Sequence, residues 1–160
     1  MLLAFAVALA PNQFALGAAR GASVSASSKG PGGTSAQQGE AMKIRLKMNS
    51  RSLEATLRQD ETARDFLSLL PLTLTMRDLF GREKFGHLPR AISDSGERTH
   101  SYQVGEIAYW SPGPDIAVFY RHDGQTIPAP GLIIIGKVES GVETLNVPGS
   151  LEMTLELAKN

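Results

Sequence analysis

The chain has 160 residues, and its 16 Lys and Arg balance 16 Asp and Glu, so the formal charge is zero. A neutral chain lacks the basic surface that neutralises phosphates, so nucleic acid is not an expected partner. There is no cysteine, which excludes disulfides, thiolate nucleophiles and Cys–metal sites and leaves the redox compartment open.

Residues 1–41 read as a segment apart from the folded domain. Residues 1–10 are an unbroken apolar run, followed by Pro11 and Asn12. The run has the length of a signal-peptide core and is too short to span a bilayer, which takes about 20 residues. No Lys or Arg precedes it, and the small-residue cleavage pattern is blurred. Residues 21–39 are small and polar, the composition of a flexible linker. Two readings stand side by side. One is a signal-like segment plus linker, which implies a periplasmic or secreted protein. The other is a true start at Met42, which implies a cytoplasmic one.

The domain proper is residues 42–160. Ile44, Leu46 and Met48 alternate with Lys43, Arg45 and Lys47, and Leu53, Ala55 and Leu57 alternate with Ser52, Glu54 and Thr56. Successive strand side chains face opposite ways, so this is an amphipathic hairpin turning at Asn49-Ser50. The period then changes. Ala63, Phe66, Leu67 and Leu70 form a helical stripe, with Asp60 or Thr62 as the cap and Pro71 as the stop. The spacing predicts one helix of about ten residues lying against a sheet.

Leu72, Leu74 and Met76 mark another strand, and Phe80-Gly81 turns into a short one ending at Leu88-Pro89. Residues 91–101 are polar and predict a mobile loop. Three apolar strands follow: Glu106–Trp110, residues 115–120 and Leu132–Val138. Residues 142–145 suit one helical turn. Leu151, Met153, Leu155 and Leu157 alternate with Glu152, Thr154 and Glu156 in a final strand. Its acidic face complements the basic face of residues 43–47. Pairing the two would bring the ends together and close the sheet, removing exposed edges.

The order hairpin, helix, strand, loop, then GEIAYWSPGPDIAVFY and GLIIIGKVESGVETL, resembles the bacterial cyclophilin-like family. The resemblance covers essentially residues 42–157. Its most specific parts are residues 105–110, Pro112-Gly113, Phe119-Tyr120 and residues 131–137. Glu106 stands where that family usually carries Asp. The resemblance implies a mainly β fold, a closed cyclophilin-like β-barrel with one packed α-helix. It stops at architecture. The Phe-His-Arg strand and Gln-Gly-Gly-Asp segment of isomerase cyclophilins are absent, and Phe85-Gly86-His87 with Arg90 lacks their spacing. No catalytic residue carries over.

Four aromatics, Tyr109, Trp110, Phe119 and Tyr120, fall within 12 residues. Strand alternation sends one of each adjacent pair inward and leaves the other free to line a groove. Arg90 and Arg121 could place a cation beside it. These six are the candidate ligand-binding residues. His87, His100 and His122 lack metal-site pairing. Asp94, Glu97 and His100 share one loop but form no recognisable metal motif, and the sequence calls for no metal and no cofactor. The expected function is a binding module for a peptide or small ligand, its aromatic groove capped by residues 90–101. The alternatives are a peptidyl-prolyl cis-trans isomerase and a structural or assembly domain.

Overall fold

A computed structural model describes residues 41–159. The expectations placed on residues 1–40, signal segment or alternative start, lie outside the described residues.

Among the described residues, nine strands and one α-helix run in the order β1 (Met42–Met48), β2 (Arg51–Leu57), α1 (Glu61–Leu67), β3 (Leu72–Leu79), β4 (Glu83–His87), β5 (Arg98–Thr99), β6 (Glu106–Trp110), β7 (Asp115–Phe119), β8 (Leu132–Val138) and β9 (Leu151–Leu157). A 3₁₀ turn, Val142–Leu145, precedes β9. Every strand pairing is antiparallel. The sheet runs β2-β1-β9-β3-β4-β7-β6-β8, and β8 pairs back onto β2 to close an eight-stranded barrel, with β5 clipped to the far end of β8.

The charge argument for closure holds. Strand β9 pairs with β1, setting Arg45 opposite Glu156 and Leu46 opposite Leu155. Lys47 and Arg45 reach Glu156 at 3.5 and 4.0 Å, and Lys43 reaches Glu139 at 3.0 Å. Such exposed pairs are screened by solvent and stabilise little. The stabilising mass lies behind them, where Ile44, Leu46, Ala55 and Leu155 are fully buried.

The helix is shorter than its stripe suggests. Asp60 caps it, accepting a hydrogen bond from the Ala63 N–H at 2.9 Å, and it ends at Leu67 rather than running to Leu70. Ala63 and Phe66 plug the barrel, while Leu69 and Leu70 leave the helix in a turn ahead of Pro71. Residues 91–101 differ from the plain loop expected of them. Ile92 is buried, Ser93 N–H donates to Asp65 of α1 at 2.8 Å, and Arg98–Thr99 pairs with β8. Polar composition hid these anchors, since backbone groups make two of the three.

Strands β6, β7 and β8 are buried on both faces. Inward, Ile107, Tyr109, Ile116, Val118, Ile133 and Ile135 join the barrel core. Outward, Ala108, Ala117, Phe119, Leu132 and Ile134 make a second apolar cluster with Tyr102 and Ile127 of the flanking loops. Two-sided burial explains why these segments read as continuous apolar runs rather than clean alternations. A bulge at Ile135, between the Ile107–Gly136 and Ala108–Ile134 pairs, shifts the register of β8.

Candidate functional site: an apolar groove on the outer barrel wall

The outer cluster does not cover the whole outer face. Beside it lies a groove of about 270 Å³. Its walls and floor come from Leu79 and Phe80 at the end of β3, Arg82, Glu83 and Phe85 of the turn and β4, and Trp110 of β6. Asp115 and Ala117 of β7, Leu132 of β8, and Ile127 and Pro128 of the preceding loop complete it. Alternation along β4 puts Glu83 and Phe85 on this outer face. Lys84 between them points into the barrel, fully buried, where it binds the carbonyls of Val147 and Gly149 at 2.5 and 2.8 Å and Asp78 at 3.0 Å.

One end of the groove is charged and nearly dry. The Arg82 side chain is 7% exposed and reaches Glu83 at 3.4 Å and Asp123 at 3.1 Å. Its guanidinium lies 5.2 Å from the Phe80 ring centre and 5.7 Å from that of Tyr102, both within cation–π range. Its Nε is buried without a partner. Tyr102 stacks on Phe119 with centroids 3.9 Å apart and donates its O–H to Asp123 at 3.0 Å. Burial pushes the Glu83 carboxyl up to about 7 against the opposing pull of Arg82. Asp123 goes the other way, held below the usual carboxylate range first by the Gln125 N–H and then by Tyr102 and Arg82, which together outweigh its desolvation. At the other end Asp115 meets His87 at 3.2 Å.

Among the six candidate residues, Trp110 lines this groove. Tyr109 points the opposite way, into the barrel, and its O–H oxygen accepts from the Ile92 N–H at 3.3 Å. Phe119 faces outward but is sealed beneath Tyr102. Tyr120 turns into the core and donates to Asp78 at 2.6 Å, and burial with that bond pushes its hydroxyl up to about 12. Arg90 grips Asp65 of the helix at 2.6 and 3.2 Å. Arg121 is exposed beside Gly81. Neither arginine borders the groove, and residues 90–101 do not cap it; residues 127 and 128 form its loop wall.

Sequence reasoning passed over Arg82, Glu83, Phe85, Asp115, Ile127 and Pro128. One signal was present. Arg82-Glu83-Lys84 sets three charges in a row at the head of a strand, and alternation puts charge on both faces of a strand whose neighbours are apolar. Nothing local indicated that both faces would be covered.

A second hollow, of about 230 Å³, lies over Ile134 and is polar, bordered by Arg58, Glu97, Thr99, Ser101, Gln103 and Glu106. Among the described residues no group of three His, Asp or Glu is placed to hold a metal ion. No described helix is long and apolar enough to cross a membrane.

The closed barrel agrees with what the sequence matches. Residues 46–156 match the model of the cyclophilin-like family, and the chain belongs to that family. Two solved structures share the fold. A hypothetical protein from Archaeoglobus fulgidus superposes with a TM-score of 0.62 at 23% identity, covering 77% of this chain and 99% of its own. A cyclophilin-type peptidyl-prolyl cis-trans isomerase from Cryptosporidium parvum does so with a TM-score of 0.54 at 16% identity, covering 76% of this chain and 99% of its own. No curated protein matches the chain.

Proposed function

We propose that the protein is a binding module whose outer-wall groove receives a short extended peptide or a small apolar ligand. The observation that carries this reading is the groove itself, an apolar hollow of about 270 Å³ between Phe85, Trp110, Leu132 and Pro128, with a few polar groups gathered at its ends. Binding sites are typically such concavities, apolar with a small number of placed polar groups. Trp110 is the single tryptophan of the chain, so its fluorescence reports on this wall and no other. Titration with capped Ala-Ala-Xaa-Ala peptides, Xaa being Pro, Phe, Leu or Val, is expected to give a saturable change for at least one of them. A flat response for all four would remove the reading.

Isomerisation of prolyl peptides is a second reading. It draws on the activity named for the Cryptosporidium neighbour and on one feature of this chain, the Arg82 guanidinium at the end of the groove. Fold does not carry function with it. A protease-coupled assay on a prolyl peptide tests it directly. Activity that survives Arg82→Ala would remove Arg82 from any catalytic role.

A further inference from the structure

The turn joining β3 to β4 is built from an unsuitable residue. Arg82 N–H returns to the Leu79 carbonyl at 3.1 Å, and the two residues between them, Phe80 and Gly81, both have left-handed backbones, with φ of 54° and 61°. Consecutive positive φ values are the mark of a type I′ turn, whose first central position favours Asn, Asp or Gly. A bulky residue there is a genuine outlier. Gly81 meets the demand, and Asp78 supports it by accepting the Gly81 N–H at 2.9 Å. Phe80 does not, and burial offers it nothing in return, because its side chain leaves it 67% exposed, the largest exposure among the exposed large hydrophobics. Its ring meets the Arg82 guanidinium, 5.2 Å from the ring centre. A cation–π contact at the surface is a small return on that backbone strain, so folding gives little reason for an aromatic at this position. Local strain with little folding benefit is characteristic of functional positions.

The ring borders the groove. We propose that Phe80 is a specificity-determining contact of this groove, its ring folding over a neutral apolar side chain of a bound extended peptide whose other face rests on Phe85, Trp110 and Leu132. The occupant's neutrality follows from the walls. Arg82 is paired with Asp123 and touches Glu83, and Asp115 is hydrogen-bonded to His87, so the polar ends of the wall already have partners and the surface between them is apolar. Burying an unpaired charge against these apolar side chains would be costly. Arg82, held between Phe80 and Tyr102, sets the angle at which the ring stands over the mouth.

The inference rests on the groove being the binding site, and the two can fail separately. The variants are Phe80→Asn and Phe80→Gly, both suited to a left-handed backbone. Thermal midpoints are compared first, then the affinities for the four capped Ala-Ala-Xaa-Ala peptides, read by Trp110 fluorescence. Phe80→Asn is expected to melt at or above the wild-type midpoint while its affinity falls at least fivefold, with the preference among Pro, Phe, Leu and Val flattened. Stable variants with unchanged affinity and ranking would overturn the role of Phe80 and leave the groove reading intact. A Phe80→Asn protein that melts clearly lower would show that the ring serves folding, which also overturns it. If the wild-type protein binds none of the peptides, both readings fall together.

Discussion

Glu83 is a carboxyl in a place that resists its charge. It is 5% exposed, beside Arg82 at 3.4 Å, and burial dominates, so it titrates near pH 7 instead of in the ordinary carboxylate range. The consequence for stability has a definite sign. Between about pH 4.5 and about 7 the folded protein keeps a proton that the unfolded chain has released. Stability from this group is therefore full below the unfolded pKa and is lost as pH rises through the folded value. The shift corresponds to an effect on the order of 3 kcal/mol. Urea midpoints of the wild-type protein should fall between pH 4.5 and 7.5. Those of Glu83→Gln, which keeps the shape without the charge, should stay nearly level. A decline equal in both proteins would mean that another group is responsible. Asp65, Asp78 and Asp123, held low by their partners, act only at more acid pH.

At the scale of the element, α1 acts as an anchor as much as a plug. Its Asp65 accepts from Arg90 and from the Ser93 N–H, and its Glu61 accepts from the Ser95 hydroxyl at 3.1 Å. Arg90, a sequence candidate for ligand contact, is committed to this tie. The helix is only seven residues long, so its cap matters in proportion. Replacing Asp60 with Ala removes the acceptor for the Ala63 N–H and is expected to cost about 1 kcal/mol. Amide exchange in residues 91–95 should quicken as α1 loosens. Unchanged exchange there would show that the loop is held independently of the helix.

Strands β6, β7 and β8 show how far pattern alone reaches. Their existence and approximate limits were readable from apolar runs between Gly and Pro, and opposite facing of Tyr109 and Trp110 followed from the pleat. Which of each pair would face a groove was not readable. That depended on the flanking loops folding over part of the outer face, Tyr102 covering Phe119 and the loop around Ile127 leaving Trp110 at the margin. The same loop, and not residues 90–101, walls the site, although β5 sets Thr99 beside Leu132, itself a lining residue.

For the whole molecule, closure depends on one narrow seam. Strand β8 meets β2 through three residue pairs, Ala55–Val138, Thr56–Lys137 and Leu57–Gly136. At Gly136 an added Cβ would lie 2.7 Å from the Thr56 carbonyl oxygen and 2.7 Å from Leu57 Cδ2. Backbone cannot retreat as a side-chain tip can. Gly136→Ala is expected to destabilise by about 1–3 kcal/mol, with loss of amide protection concentrated along residues 55–57. Protection kept there together with an unchanged midpoint would show that the seam has slack.

The rhythm of the chain was enough for the barrel. Alternation at Ile44, Leu46 and Met48 and again at Leu151, Met153 and Leu155, with opposite charges on their outer faces, implies neighbouring end strands around a dry interior, because each strand must bury one face. Local sequence also places the start of the helix, narrows its cap to Asp60 or Thr62, and places the turn at Phe80-Gly81. The groove belongs to the tertiary structure. Its lining comes from five separated stretches, residues 79–85, 110, 115–117, 127–128 and 132, and its polarity is set by how deeply Arg82 and Glu83 sink. Burial and desolvation arise from what distant segments stack on a residue, and no local pattern of side chains encodes that.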